Sequence, residues 1–164
     1  MRKITIVFTL LIIGLFAPEA FGQDKKQKDR EMLIKAASFL EERPFDKQAK
    51  DVRAWAIKYA SETDEVTVIV CGAGAPFLDK KVKFGSELVG QYLIAMTAFK
   101  LQNPDKATDE NAAQLAGLES ALKSYETMLK ENPKAKAEKV EDLLAKRNDN
   151  TLAKYAADAD CGKK

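Results

Sequence analysis

The chain has 164 residues, with 27 basic and 25 acidic side chains, a formal net charge of +2 and no histidine. Charges that cancel this closely give no overall field to gather nucleic acid or an anionic membrane surface. The missing imidazole removes the commonest general base, the usual partner of a Ser or Cys nucleophile and a principal zinc ligand.

Residues 1–22 read as a leader. Met1-Arg2-Lys3 is basic, Ile4 to Ala17 is an uncharged and mostly apolar run, and Ala20-Phe21-Gly22 places small residues at −3 and −1 before Gln23. That is the layout of a secretory signal peptide, cleaved after Gly22. A membrane anchor needs about 20 apolar residues, more than this run supplies. The expectation is an exported chain, periplasmic or secreted, with residues 23–164 forming one helical domain and no stable membrane insertion. No cysteine lies near the cleavage point, so lipid attachment there is excluded.

The first helix is expected from Asp29 to Arg43, with Leu33, Ala36, Ala37 and Leu40 at i, i+3, i+4, i+7 spacing and Pro44 ending it. A second runs from Asp46 to Thr63 and carries Val52, Trp55, Ala56 and Tyr59 on one side. Trp55 and Tyr59 stand one turn apart; they anchor this helix to the core or, in the alternative reading, contact a ligand or partner.

Next comes VTVIVCGAGAPF (66–77), a β-branched run entering Gly-x-Gly. A dinucleotide fingerprint needs a third glycine three residues after Gly74, opening a helix. Phe77 stands there, behind Pro76, and no further strands follow to build a parallel sheet, so that reading is rejected. A lone strand has no ladder partner. The segment 66–71 is therefore expected as buried first turns of a helix or an irregular extended piece, with a hairpin against FLDKKVKF (77–84) as the competing form. GAGAPFLDKKVKFG (72–85) reads as the one hinge, with Gly72 and Gly74 letting the chain turn.

Ser86 to Leu101 is apolar almost all round and is expected as the central, buried helix, closed by Asn103-Pro104. Thr108 or Asp109 caps a fourth helix to Glu131, striped by Leu115, Leu118, Leu122, Tyr125 and Leu129. A fifth is expected over 135–147 and a sixth over Thr151 to Ala159. About six helices with short connections predict an all-α domain of antiparallel hairpins, a tetratricopeptide-like or irregular helical bundle.

Within the fourth helix, GLESALKSYETMLKENP (117–133) resembles the second helix of a tetratricopeptide repeat. Ala121, Tyr125 and Pro133 match its small, aromatic and proline places, whereas Met128 stands where a small residue is usual. The preceding helix lacks the repeat's Trp-Leu-Gly-Tyr pattern. The resemblance implies hairpin packing over those 17 residues and carries no binding residues with it.

Cys71 and Cys161 are the only cysteines. One pair in an exported chain favours a disulfide, stabilising on the order of 4–5 kcal/mol in the chain-entropy model. Chemical motifs are weak. Ser120-x-x-Lys123 lacks the companion elements of penicillin-recognising enzymes and is expected to face away from the leucine stripe. Glu41-Glu42, Glu141-Asp142 and Asp158/Asp160 read as solvated carboxylates, and the chain ends before Asp158-x-Asp160 could complete a calcium loop. No catalytic, cofactor or metal residue is assigned. The expected function is non-enzymatic binding of another exported protein or peptide. The alternative is a small-molecule binder or carboxylate-dependent enzyme with its site near Trp55 and Tyr59.

Overall fold

The computed structural model describes residues 19–159 and 161. Up to residue 18 the expected leader lies outside the described residues, as does Asp160. Among the described residues the chain is all-helical and has no strand. Six α-helices follow in order: α1 Glu19–Glu42, α2 Ala49–Glu62, α3 Gly85–Gln102, α4 Glu110–Glu131, α5 Glu138–Asn148 and α6 Leu152–Asp158. Three 3₁₀ segments intervene, the longest being Gly72–Leu78.

Local chemistry accounts for where the helices start and stop. The Asp46 carboxylate accepts from the Gln48 N–H at 2.9 Å, so 46–48 close a turn and α2 begins at Ala49, three residues later than expected. Asn103 donates its side-chain amide to Phe99 O at 2.8 Å, and Pro104 follows, so α3 ends there. Asp109 caps α4 by accepting from the Ala112 N–H at 3.0 Å. Pro133–Ala135 form a 3₁₀ turn, which delays α5 to Glu138.

Helix α3 is the centre, as its all-round apolarity predicts. One side packs Ile94, Ala98 and Leu101 against Leu33, Ala37 and Leu40 of α1 and Ala49 and Ala56 of α2. The other packs Leu88, Tyr92 and Met96 against α4, α5 and α6, through Leu118, Tyr125, Val140 and Leu152 among others. Between the two lies a buried polar seam. Gln91 donates to Ala37 O at 2.9 Å and to Ser120 Oγ at 2.7 Å, and Ser124 donates to Leu40 O at 3.2 Å. Ser120 is thus buried at the helix interface rather than facing outward. Its small hydroxyl accepts from the Gln91 amide nitrogen, a partnership that the leucine spacing alone does not register.

Of the forms expected for 66–71, the irregular extended piece is the one present, neither helix nor hairpin. Three other expectations about 66–85 are corrected. The stretch 66–71 is not buried as expected: Ile69 is 38% and Val70 62% exposed. Only Val66, Val68 and Cys71 pack partly against the cores. The segment Gly72–Leu78 is not a hinge, because Ala73 and Phe77 are fully buried. Nor does Gly74 serve a turn: a Cβ there would stand 2.9 Å from Tyr92 Cε1, so it is glycine for close approach.

Cys71 and Cys161 are bridged, with 5.7 Å between Cα atoms and 90 residues between them in sequence. The bridge ties the extended segment to the residue at position 161, beyond the end of α6.

Two phenols dominate the α3–α4 core. Tyr125 accepts from the Ala137 N–H and donates to Glu141, both at 2.9 Å. Burial, and then the bond to Glu141, push it up to about 12, against the pull of the Ala137 amide. Burial raises Tyr92 as well. An unfolded tyrosine ionises near pH 10, so above that pH the unfolded chain holds fewer protons than the folded one and stability must fall as pH rises. Melting temperatures stepped from about pH 9 to about pH 12 are expected to drop beyond about pH 10. Tyr125→Phe should give a shallower decline, read against the phenolate absorbance that appears on unfolding.

Candidate functional site

Trp55 and Tyr59 are stacked, with ring centroids 5.7 Å apart and planes at 23°. They serve different surroundings. The Tyr59 hydroxyl donates to Glu65 Oε1 at 2.9 Å, and Glu65 also holds Arg30 of α1 in an ion pair. Burial and the Glu65 bond raise the Tyr59 phenol. This cluster pins the start of the extended segment to the α1–α2 hairpin.

Trp55 instead lines a groove of about 390 Å³ between α1 and α2. Met32, Ala36 and Phe39 come from α1, and Val52 and Trp55 from α2; Lys35, Gln48 and Asp51 stand at its edge. The groove follows from sequence spacing. Met32, Ala36 and Phe39 sit four and three residues apart on one face, as do Val52 and Trp55 three apart on the facing helix. Leu33, Ala37 and Leu40, one step round α1, go to the core instead. Met32 is left 47% exposed. Of the expected pair, then, Trp55 belongs to an open apolar site and Tyr59 lies beside it, its hydroxyl engaged elsewhere.

Of the carboxylates singled out in the sequence, Glu42 and Asp142 are exposed, and three others face cations or a phenol. Glu41 lies 3.6 Å from Lys123, Glu141 takes Tyr125 and Lys136, and Asp158 pairs with Lys154. Ser120 and Lys123 have separate partners, so the serine has no base beside it. No group of three or more potential metal ligands occurs among the described residues.

A second site escapes sequence reasoning. Lys100 of α3 is 1% exposed, and its ammonium donates to Thr67 O at 2.6 Å and Glu110 Oε1 at 2.5 Å. Gln114 of α4 is fully buried and donates to Ile69 O at 2.6 Å. Two side chains thereby replace the ladder partner that 66–71 lacks. Beside them opens a cavity of about 380 Å³, lined by Thr67, Ile69, Lys100, Thr108 and Glu110 among others. Lys100 gave no warning in the sequence because a lysine in the last turn of a helix is ordinary there, favoured by the helix dipole. Gln114, beside the striped Leu115, reads equally as a flank.

Compared with protein-family models, curated proteins and solved structures, the chain matches none. The two sites therefore rest on their own geometry.

Removing Lys100 strands a largely buried carboxylate and the Thr67 carbonyl. Lys100→Ala is expected to cost about 3–5 kcal/mol in urea denaturation, whereas Lys100→Met with Glu110→Leu recovers most of it.

Proposed function

We propose that this chain is an exported, non-enzymatic helical module whose α1–α2 groove holds an apolar segment of another exported protein or peptide. The observation that carries the reading is the groove itself. It is open along the hairpin and floored by Ala36, Phe39, Val52 and Trp55, and Met32 stands half-exposed at it. An amphipathic helix laid into such a trough buries its apolar face there. A partly exposed indole is the side chain type that most often anchors an interface. Lys35 and Asp51 give the edge both signs of charge, so a partner with a mixed-charge flank gains contacts on each side.

Export is supported by the leader layout in residues 1–22 and is compatible with the Cys71–Cys161 bridge, since disulfides persist in oxidising compartments. The tetratricopeptide-like 117–133 supports the reading only through helix packing. Ala121 and Tyr125 are buried core residues and offer a partner nothing. The groove's volume falls within the range of about 300–1,000 Å³ used for small ligands. That favours an apolar small molecule as the second reading. A carboxylate-dependent reaction draws less support, because Asp51 is exposed rather than desolvated.

A photo-reactive side chain at Met32 is expected to capture a discrete exported protein in the cell, and one at exposed Lys130 is not. Trp55 is the chain's only tryptophan, so its emission reports occupancy directly. Met32→Asp should weaken binding of the captured partner by about tenfold or more while leaving the fold intact. Capture of no specific protein, with Trp55 emission shifting to the blue on adding a small apolar probe, would favour the small-molecule reading.

A further inference from the structure

The extended segment Val66–Val70 has two edges, and only one is occupied. The carbonyls of Thr67 and Ile69 point to Lys100 and Gln114, the i, i+2 alternation of extended backbone. By the same alternation the N–H and C=O groups of Val66, Val68 and Val70 point the opposite way. None of these has a hydrogen-bond partner among the described residues, where Lys100 and Gln114 are the side chains that reach this backbone. Val70, at the end of this row, is 62% exposed, whereas Val66 and Val68 are half-buried. Ile69 and Val70 are exposed, and no charged residue interrupts the five. An uncharged β-branched edge with unpaired backbone groups is a template for a further strand.

We infer that the outer edge of Val66–Val70 pairs antiparallel with the same segment of a second copy of this chain. The sequence is close to a palindrome about Val68, Val-Thr-Val-Ile-Val, which suits a two-fold interface in which one patch meets itself. With Val68 opposite Val68, each outward-facing valine exchanges both backbone groups with its counterpart, and exposed Thr67 lies opposite exposed Ile69. The flanks agree with this direction. Each copy's Asp64-Glu65 meets Gly72 and Cys71 of the other, so no like charges face one another, whereas a parallel pairing would align the acids. Gly72 has open space where a side chain would stand, leaving room for the partner's backbone. An interface built on five residues is smaller than the roughly 1,200 Å² of stable complexes, so the pairing is weak and concentration-dependent. It involves a different surface from the α1–α2 groove, and its test does not depend on that groove.

The test mixes two variants of the purified protein, Thr67→Cys and Ile69→Cys, under mild oxidation. In this register position 67 of one copy and position 69 of the other approach to about 4.5 Å between Cα atoms, so the two introduced thiols lie within bridging range. The mixed dimer should exceed either self-linked dimer by about tenfold. In the unaltered chain, raising the concentration should slow amide exchange at Val66, Val68 and Val70 while leaving Thr67 and Ile69 unchanged. Val70→Pro removes one outward donor from each copy and should weaken self-association by about tenfold or more in sedimentation. A chain that stays monomeric throughout overturns the inference, as does dominance of the Thr67→Cys variant's self-linked dimer. Protection of the same amides only on adding a different exported polypeptide overturns it in favour of a foreign strand.

Discussion

The Tyr92 ring is held between two glycines, and the positions of the elements around it follow. A Cβ on Gly117 of α4 would stand 2.6 Å from Tyr92 Cδ2, and one on Gly74 would stand 2.9 Å from Cε1 on the other side of the ring. Neither distance occurs between real side chains, so α4 and the 3₁₀ segment reach Tyr92 only because both positions lack a side chain. Phe77 closes the cluster, its ring centroid 6.2 Å from that of Tyr92. Seating Gly72–Leu78 in this way fixes Cys71 and hence the end of the extended segment. The near approach of α4 to α3 brings Gln114 and Lys100 to the same stretch of backbone. A contact inside the core thus determines a surface feature.

The division of α3 into two packing faces separates the cross-linked core from the side that carries the open groove. Its Tyr92 side is joined to α4, α5 and α6 and cross-linked by the disulfide. Its Ile94 side carries the α1–α2 hairpin, whose outer seam is left with the Trp55 groove. The buried Gln91–Ser120 and Ser124–Leu40 bonds set the register between these halves. Hydrogen bonds of this kind add about 1 kcal/mol each, but leaving one unmade costs more, so they specify one arrangement rather than drive folding. A hairpin held in one orientation presents a preformed groove, so the partner proposed for it would lose less entropy in binding.

Most of the helical architecture was legible in the sequence because its punctuation is strong. Pro44, Asn103-Pro104 and Asn132-Pro133 mark ends, Asp109 marks a start, and the apolar run of α3 announces its central place. Trp55 was legible as a candidate contact, though its separation from Tyr59 was not, since that depends on Glu65 arriving from the following loop. Polar residues that act across helices were missed. Lys100, Gln114 and Ser120 each look unremarkable on their own helix and gain their roles from a partner 29 to 45 residues away. Gly74 was read through the commonest use of glycine, a turn, and its actual use needs the position of Tyr92.

The glycine–tyrosine contact is open to a double-mutant cycle on unfolding free energy. Gly117→Ala is expected to cost about 1–3 kcal/mol, the penalty of overpacking, in the chain with Tyr92. In a Tyr92→Leu background the same change should cost clearly less, the remaining strain coming from Met96 Cγ, which would stand 2.7 Å from the new Cβ, offset in part by the better helix propensity of alanine, about 1 kcal/mol. An equal cost in both backgrounds, or a stabilising Gly117→Ala in the presence of Tyr92, would contradict the dependence of this fold on that close approach.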